Sequence, residues 1–321
     1  AAAAAGIEIV SSDPGAEHGK VWFNSTTSLL KVYNYGAGSW AAGGVLNTPR
    51  RSNPNSGAGT LTAAVSFGGY STETTGETEE YDGTSWTDVA GNLLTAVTHM
   101  GGCGTQTAAL SFGGYSDRYS EETEEYDGTC WTVTGVGDMA TPRSNPVGAG
   151  TQSAALGFGG YAPSSAQDAT EEYNGSVWGS GGNLLVAVKQ HTGCGTQTAG
   201  LSTAGAGPVD ETEEYDGTCW AASNDLNTAR RALTGFGLQT AGLCTGGLAG
   251  SSDPRANTEV YNGTTWANDD DLTTPRGDGS QAGTLQAGLV AGGSPASGLN
   301  SNTDTTEEYT QSITAQTVTD S

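Results

Sequence analysis

The sequence predicts an all-β protein made of small antiparallel sheets, and three observations predict it. Glycine supplies 51 of the 321 residues and only 14% are charged, a composition poor for long amphipathic helices and suited to short strands and tight turns. The string Thr-Glu-Glu-Tyr ends at Tyr81, Tyr126, Tyr173, Tyr215 and Tyr309, with Thr-Glu-Val-Tyr ending at Tyr261, at spacings of 45, 47, 42, 46 and 48 residues. Asp-Gly or Asn-Gly follows the first five of these in chain order up to Tyr261, and a tryptophan stands five residues after each: Trp86, Trp131, Trp178, Trp220 and Trp266. A unit of this length holds a few strands whose sheet cannot bury both faces alone. Packing such units side by side around an axis, as a β-propeller, solves that.

Composition narrows the function classes. Eleven Lys and Arg stand against 35 Asp and Glu, giving a formal charge of -24. Phosphate binding needs a basic surface that releases counterions, so nucleic acid is a poor partner. No stretch approaches the roughly 18 apolar residues of a membrane span, and Ala1 to Ala5 lack the charged start and apolar body of a signal peptide. The five cysteines are an odd number and do not spell a disulfide framework. Cys103 and Cys194 share one repeat position and Cys130 and Cys219 another, so all five, with Cys244, are expected as small buried strand residues.

Each unit reads as four strands. An inner strand is expected at Gly-Ala-Gly-Thr or Gly-Cys-Gly-Thr-Gln-Thr, residues 57–60, 102–107, 148–151 and 193–198. An apolar strand ending in paired glycines follows at 63–69, 108–114 and 154–160, with looser copies at 242–247 and 288–293 and a degraded one at 204–207. The glutamate strand comes third. Asp-Gly and Asn-Gly then predict a hairpin with a type I′ turn leading to the tryptophan strand.

The chain ends set the number of units. Val21-Trp22-Phe23, Leu30-Lys31-Val32-Tyr33 and Ser39-Trp40 read as the second, third and fourth strands of a partial first blade, and Tyr33 precedes Tyr81 by 48 residues. Tyr309 lacks a following tryptophan, so Gln311 to Thr319 are expected to supply the outer strand of its blade. The expectation is a seven-bladed propeller of four-stranded antiparallel sheets, with six blades plus an N-terminal hairpin as the alternative. Residues 1–18 form an N-terminal extension and 19–321 one domain: 19–42 a partial first blade, 43–310 six repeats, and 311–321 a closing strand.

The joint pattern of paired glycines, tyrosine, tryptophan and a Pro-Arg or Ala-Arg turn resembles the kelch repeat over roughly residues 30 to 310. The matching turns are Thr48-Pro49-Arg50, Thr141-Pro142-Arg143, Thr228-Ala229-Arg230 and Thr274-Pro275-Arg276. Two alternate units depart from it, with Asn-Leu-Leu runs from Asn92 and Asn183 in place of the arginine turn. The segment from Gly19 to Thr27, with Leu30 to Tyr33, Ser39-Trp40 and the preceding Ser12-Asp13-Pro14, is similar to a short module of tail fibres and other structural proteins of tailed phages. That resemblance implies a virion component.

Repetition assigns Tyr33, Trp40, Tyr81, Trp86, Tyr126, Trp131, Tyr173, Trp178, Tyr215, Trp220, Tyr261, Trp266 and Tyr309 to the structural repeat. On a strand Glu79 and Tyr81 share one face and Thr78 and Glu80 the other. Some of the repeated glutamates are expected to accept hydrogen bonds from Arg50, Arg143, Arg230 and Arg276, because guanidinium matches carboxylate. Paired acids for glycoside cleavage would be a local exception, whereas these are all alike.

His99 lies near Cys103 and His191 near Cys194, but their spacings differ, four and three residues, so no metal set is expected. Asn268 to Asp271 lack the EF-hand pattern, and the glycines do not form a phosphate loop. No catalytic residue and no cofactor is assigned. Loops after the paired glycines are the expected binding surface, at Ser71, Thr72, Ala162, Ser164, Pro208, Ser251, Asp253, Ser294 and Asn300. The sequence therefore reads as a non-enzymatic structural or receptor-binding virion protein. Its expected partners are other virion or surface proteins or a host glycan, with homo-oligomers compatible. An extracellular carbohydrate-active enzyme of kelch type, and a prokaryotic surface or filament protein, are the alternatives.

Overall fold

The computed structural model describes residues 8–14, 20–51, 55–133, 135, 137–250, 253–295 and 301–318. Those residues form strands, bridges and turns without any helix. Five four-stranded antiparallel sheets succeed one another along the chain. Blade 1 comprises Gly57–Thr60, Ala63–Phe67, Thr78–Tyr81 and Trp86–Asp88. Blade 2 runs from Gly101 to Thr132, blade 3 from Val147 to Ser180, blade 4 from Thr192 to Ala222 and blade 5 from Thr234 to Asp269. Each inner strand packs against the inner strands of both neighbours, and that of the last blade, Ser280–Thr284, returns to Gly57–Thr60. The ring is a six-bladed β-propeller.

Blade 6 explains the count. Its first three strands are Ser280–Thr284, Ala287–Ala291 and Thr306–Thr317, and its outer strand is Leu29–Ala42 from the other end of the chain. Trp40 is the partner of Tyr309, as Trp86 is of Tyr81 and Trp131 of Tyr126. The tryptophan missing after Tyr309 is therefore Trp40. The seventh blade is corrected accordingly. Tyr33 pairs with Ala315 inside the same sheet, which Val21–Asn24 and a short parallel strand, Glu8–Val10, extend to six strands. Gln311 to Thr317 continue the third strand of blade 6 and do not form its outer one. Splicing the ends into one sheet leaves no open blade interface.

The N-terminal hairpin is organised by Asp13, whose carboxylate accepts from Trp22 Nε1, Asn24 Nδ2 and Lys31 Nζ at 3.2, 2.7 and 2.8 Å. Trp22 packs its ring 4.3 Å from Tyr33.

Six apolar clusters lie one at each blade interface among the described residues. Between blades 1 and 2, for example, Val65 and Phe67 meet Met100, Tyr126 and Trp131. This is why the second strands read as short apolar runs without alternation: both of their faces are covered. Inner strands need glycine because the backbone approaches the neighbouring blade. A methyl on Gly148 would stand 2.4 Å from the carbonyl oxygen of Gly102 on the neighbouring inner strand.

The outer turns differ from expectation. Tyr81 pairs with Trp86, so four residues form the loop, and only Gly83 has a positive φ, of 90°. Asp82 Oδ1 instead accepts the backbone N–H groups of Thr84 and Ser85, each at 2.8 Å. Those bonds hold the Asp82 carboxyl below its ordinary range. The aspartate thus acts through its side chain and not through a left-handed backbone.

Candidate binding face

The repeated polar residues hold the ring together. In the four blades with an arginine turn, the buried guanidinium meets the first glutamate of the same blade: Arg50–Glu79 at 3.2 Å, Arg143–Glu171 at 3.1 Å, Arg230–Glu259 at 2.8 Å and Arg276–Glu307 at 2.6 Å. The same carboxylates accept backbone N–H groups of the preceding linker, such as Asn47 and Thr48 on Glu79. Blades 2 and 4 keep only the second half of this arrangement. Glu124 accepts from Leu94 and Thr95, and Glu213 from Leu185 and Val186, with no arginine beside them. Burial raises both carboxyls above the usual range, against those hydrogen bonds.

The other face of each glutamate strand grips the next blade. Trp131 Nε1 donates to Thr78 Oγ1, and Tyr126 donates to Glu80. The tryptophan bond recurs at all six interfaces, including Trp40 to Thr258 and Trp86 to Thr306. The tyrosine bond also recurs, with Tyr173, Tyr215, Tyr261 and Tyr81 donating to Glu125, Glu172, Glu214 and Glu308. Blade 5 carries Val260 in place of that glutamate, and Tyr309 donates to Asp269 instead. Glutamines sew the opposite ends: Gln106, Gln152, Gln197 and Gln239 each donate to two carbonyl oxygens of the preceding blade.

The axis offers little room. The six inner strands, mostly through glycine and alanine, line about 100 Å³ there. The lining carries no charged side chain. Cys103, Cys194 and Cys244 are buried as expected, whereas Cys130 and Cys219 are exposed in the outer turns. The expectation of burial is corrected for those two: they share the turn position of Ser85, which faces solvent. Buried His191 lies 5.7 Å from Phe158, and burial pushes its pKa down to about 3. Among the described residues no three His, Cys, Asp or Glu side chains converge as a metal would require.

Antiparallel order puts the loops after the second strands and the linkers between blades at one end of the ring. There they touch each other. Tyr70 pairs with Arg51, Tyr115 with Thr98, Tyr161 with Ser144, Leu248 with Arg231 and Ser294 with Gly277. Asn302 Nδ2 donates to the Ser71 carbonyl and Asn302 Oδ1 accepts from Arg51, joining the loops of blades 6 and 1.

Of the expected binding residues, Thr72, Ser164 and Asp253 are exposed here, Ser71, Ala162 and Pro208 half-buried, and Ser294 buried. Ser251 and Asn300 lie outside the described residues. The paired glycines make these loops possible: Gly68 and Gly69 hold φ of 60° and 106°, and a methyl on Gly68 would stand 2.9 Å from the Val97 carbonyl. Blade 4 takes the first of these conformations with Ala204, at φ 65°.

The remaining cations and four tyrosines, Tyr70, Tyr115, Tyr119 and Tyr161, lie on this end. Of the eleven cations, four are the buried arginines and two, Lys20 and Lys31, belong to the N-terminal hairpin. The other five, Arg51, Arg118, Lys189, Arg231 and Arg255, are all on the loop face. Arg118 and Arg255 pair with half-buried Glu122 and exposed Asp253, while Arg51 lies 4.7 Å over Tyr70 and Lys189 lies 4.0 Å over Tyr161. A left-handed residue opens each inner strand at this end: Asn55, His99, Asn145, Gln190, Ala232 and Asp278. Asp278 is 7% exposed with Oδ1 unpartnered. Burial pushes its pKa up to about 6 against the pull of Arg51 and Arg231. Burial and then Arg51 push His99 down to about 4.

The sequence reading missed this concentration. Its signal was present: setting aside the turn arginines and the hairpin, every remaining Lys or Arg falls in a linker or in a loop after the second strand. No protein-family model matches the chain, and no curated protein matches it.

Proposed function

We propose that the protein is a non-catalytic, kelch-type ring that serves as a structural or receptor-binding component of a tailed-phage particle, engaging its partner through the loop face. One observation carries the reading: the repeated acids, tyrosines, tryptophans and turn arginines are occupied in holding blades together, and the cations left over gather on one end. A rigid ring that presents clustered loops is a scaffold for recognition. The N-terminal module, packed against blade 6, is the part similar to phage structural proteins and supports placement in the virion. The partner is a host-surface glycan or another virion protein.

The test is competition. Purified ring added to host cells should block attachment of the particles, and variants of the loop face, Tyr115→Ala with Arg118→Ala, should lose the block. Thr107→Ala, at the opposite end, should keep it. Loss on the opposite end alone, or particles that do not contain the chain by mass spectrometry, overturns the reading.

A further inference from the structure

Twelve tyrosines occur in the chain, and their hydroxyls divide sharply. Six donate across blade interfaces, Tyr33 donates to the Pro14 carbonyl, and Tyr35 accepts from Gln286. The remaining four, Tyr70, Tyr115, Tyr119 and Tyr161, have no hydroxyl hydrogen bond to a described residue, and all four lie on the loop face. Three of them form a row. Tyr115 and Tyr119 have ring centroids 5.2 Å apart, and Tyr119 and Tyr161 5.9 Å apart, joining the loops of blades 2 and 3. Lys189, from the linker before blade 4, closes the row with its ammonium 4.0 Å over Tyr161. Tyr115 is 38% exposed, and the other three are half-buried. No carboxylate among the described residues pairs with Lys189.

We propose that this row binds a carboxylate-bearing saccharide, the C–H face of a sugar lying on the tyrosine rings and the acid meeting Lys189. The proposal rests on the loop face being the binding surface and names the ligand chemistry. Aromatic rings present a negative face to the partly positive C–H groups of a pyranose, while phenol hydroxyls at the ring edge are open to sugar hydroxyls. An ammonium already held over a ring costs little to order and forms a charge-assisted hydrogen bond with a carboxylate. Successive rings are tilted by 66° and 58°, so each offers its own contact along an oligosaccharide chain. In a molecule of formal charge -24, general electrostatics repels such a ligand, so any binding must come from local contacts.

The full chain is run by affinity electrophoresis through gels containing polygalacturonate, polysialic acid, hyaluronan or neutral dextran. Retardation by at least one acidic polymer beyond that by dextran is expected. Lys189→Met should weaken it tenfold or more, and Tyr119→Ala should abolish it, with both variants melting as the parent does. Equal retardation by dextran, or no effect of Lys189→Met, overturns the assignment of an acidic ligand while leaving the loop face in place if Tyr119→Ala still acts. Retardation removed by Thr107→Ala and not by Tyr119→Ala overturns the loop-face reading itself. No retardation by any of the four polymers overturns the saccharide assignment, and the attachment competition then judges the face independently.

Discussion

Trp40 pairs directly with Tyr309, its indole 5.1 Å from the phenol, and donates through Nε1 to Thr258 of the preceding blade at 3.1 Å. The first part of the chain thus supplies the side chain that completes the last blade. Every other blade finds its tryptophan five residues after its tyrosine.

Trp40→Ala should destabilise the protein by about 3 kcal/mol, through lost packing and the opened closure. Trp40→Phe should cost about 1 kcal/mol, the indole hydrogen bonds alone. Urea unfolding measures both. Equal stability of Trp40→Ala and the parent would mean that the segment does not close the ring.

The tyrosine bond of blade 6 has its own substitute acceptor. Asp269 accepts from Tyr309 and Gln311 and from the backbone of Gly38. Asp269→Ala should cost about 2 kcal/mol. Adding Val260→Glu restores the acceptor found in the other blades and should recover part of that loss, a coupling that a double-mutant cycle reads directly.

The arginine-free blades predict an asymmetry. Glu307→Gln leaves Arg276 buried without its carboxylate and should cost about 3 kcal/mol. Glu213→Gln removes no ion pair, only one of the two oxygens that accept from Leu185 and Val186, and should cost about 1 kcal/mol at pH 7. Comparable losses for the two would contradict the assigned roles.

Asp278 predicts a pH dependence. Its folded pKa, about 6, lies above the ordinary 3.8, so the folded chain holds the proton to higher pH than the unfolded one. Its contribution favours folding at low pH and declines as pH rises from about 4 to about 6. Asp278→Asn, a residue tolerant of φ near 60°, should raise stability by about 1–3 kcal/mol at pH 7 and flatten the profile over that window. Denaturation at pH 4 and pH 7 measures it.

Ala204 sits at φ 65° where five blades have glycine. Ala204→Gly should stabilise blade 4 by about 1 kcal/mol, seen as a rise in melting temperature.

The repeat made the fold and its polar pairing legible. Chemical complementarity related the turn arginines to the repeated glutamates without pairing them one to one, and strand alternation put Glu80 on the face opposite Glu79; both relations hold in the ring. The blade count was not legible, because Tyr33 falls one period before Tyr81 and imitates a blade. Its true partner, Ala315, is set by a strand that runs on past Tyr309, and no local pattern encodes that extension. The turn type was misread because Asp-Gly fits both a two-residue loop and a side-chain-capped longer one, and the tyrosine-to-tryptophan spacing decides for the longer. The row from Tyr115 to Lys189 draws on three blades, so only the closed ring brings it together.

The closure is tested most directly by a cross-link. Ser39 and Thr310 face each other, with hydroxyl oxygens 3.4 Å apart. A Ser39→Cys, Thr310→Cys chain, with Cys130 and Cys219 replaced by serine, is oxidised and mapped by mass spectrometry. A disulfide within one molecule between positions 39 and 310, with a raised urea midpoint, is the predicted result. Cross-links formed only between molecules, or none, would contradict a six-bladed ring closed by its N-terminal strand.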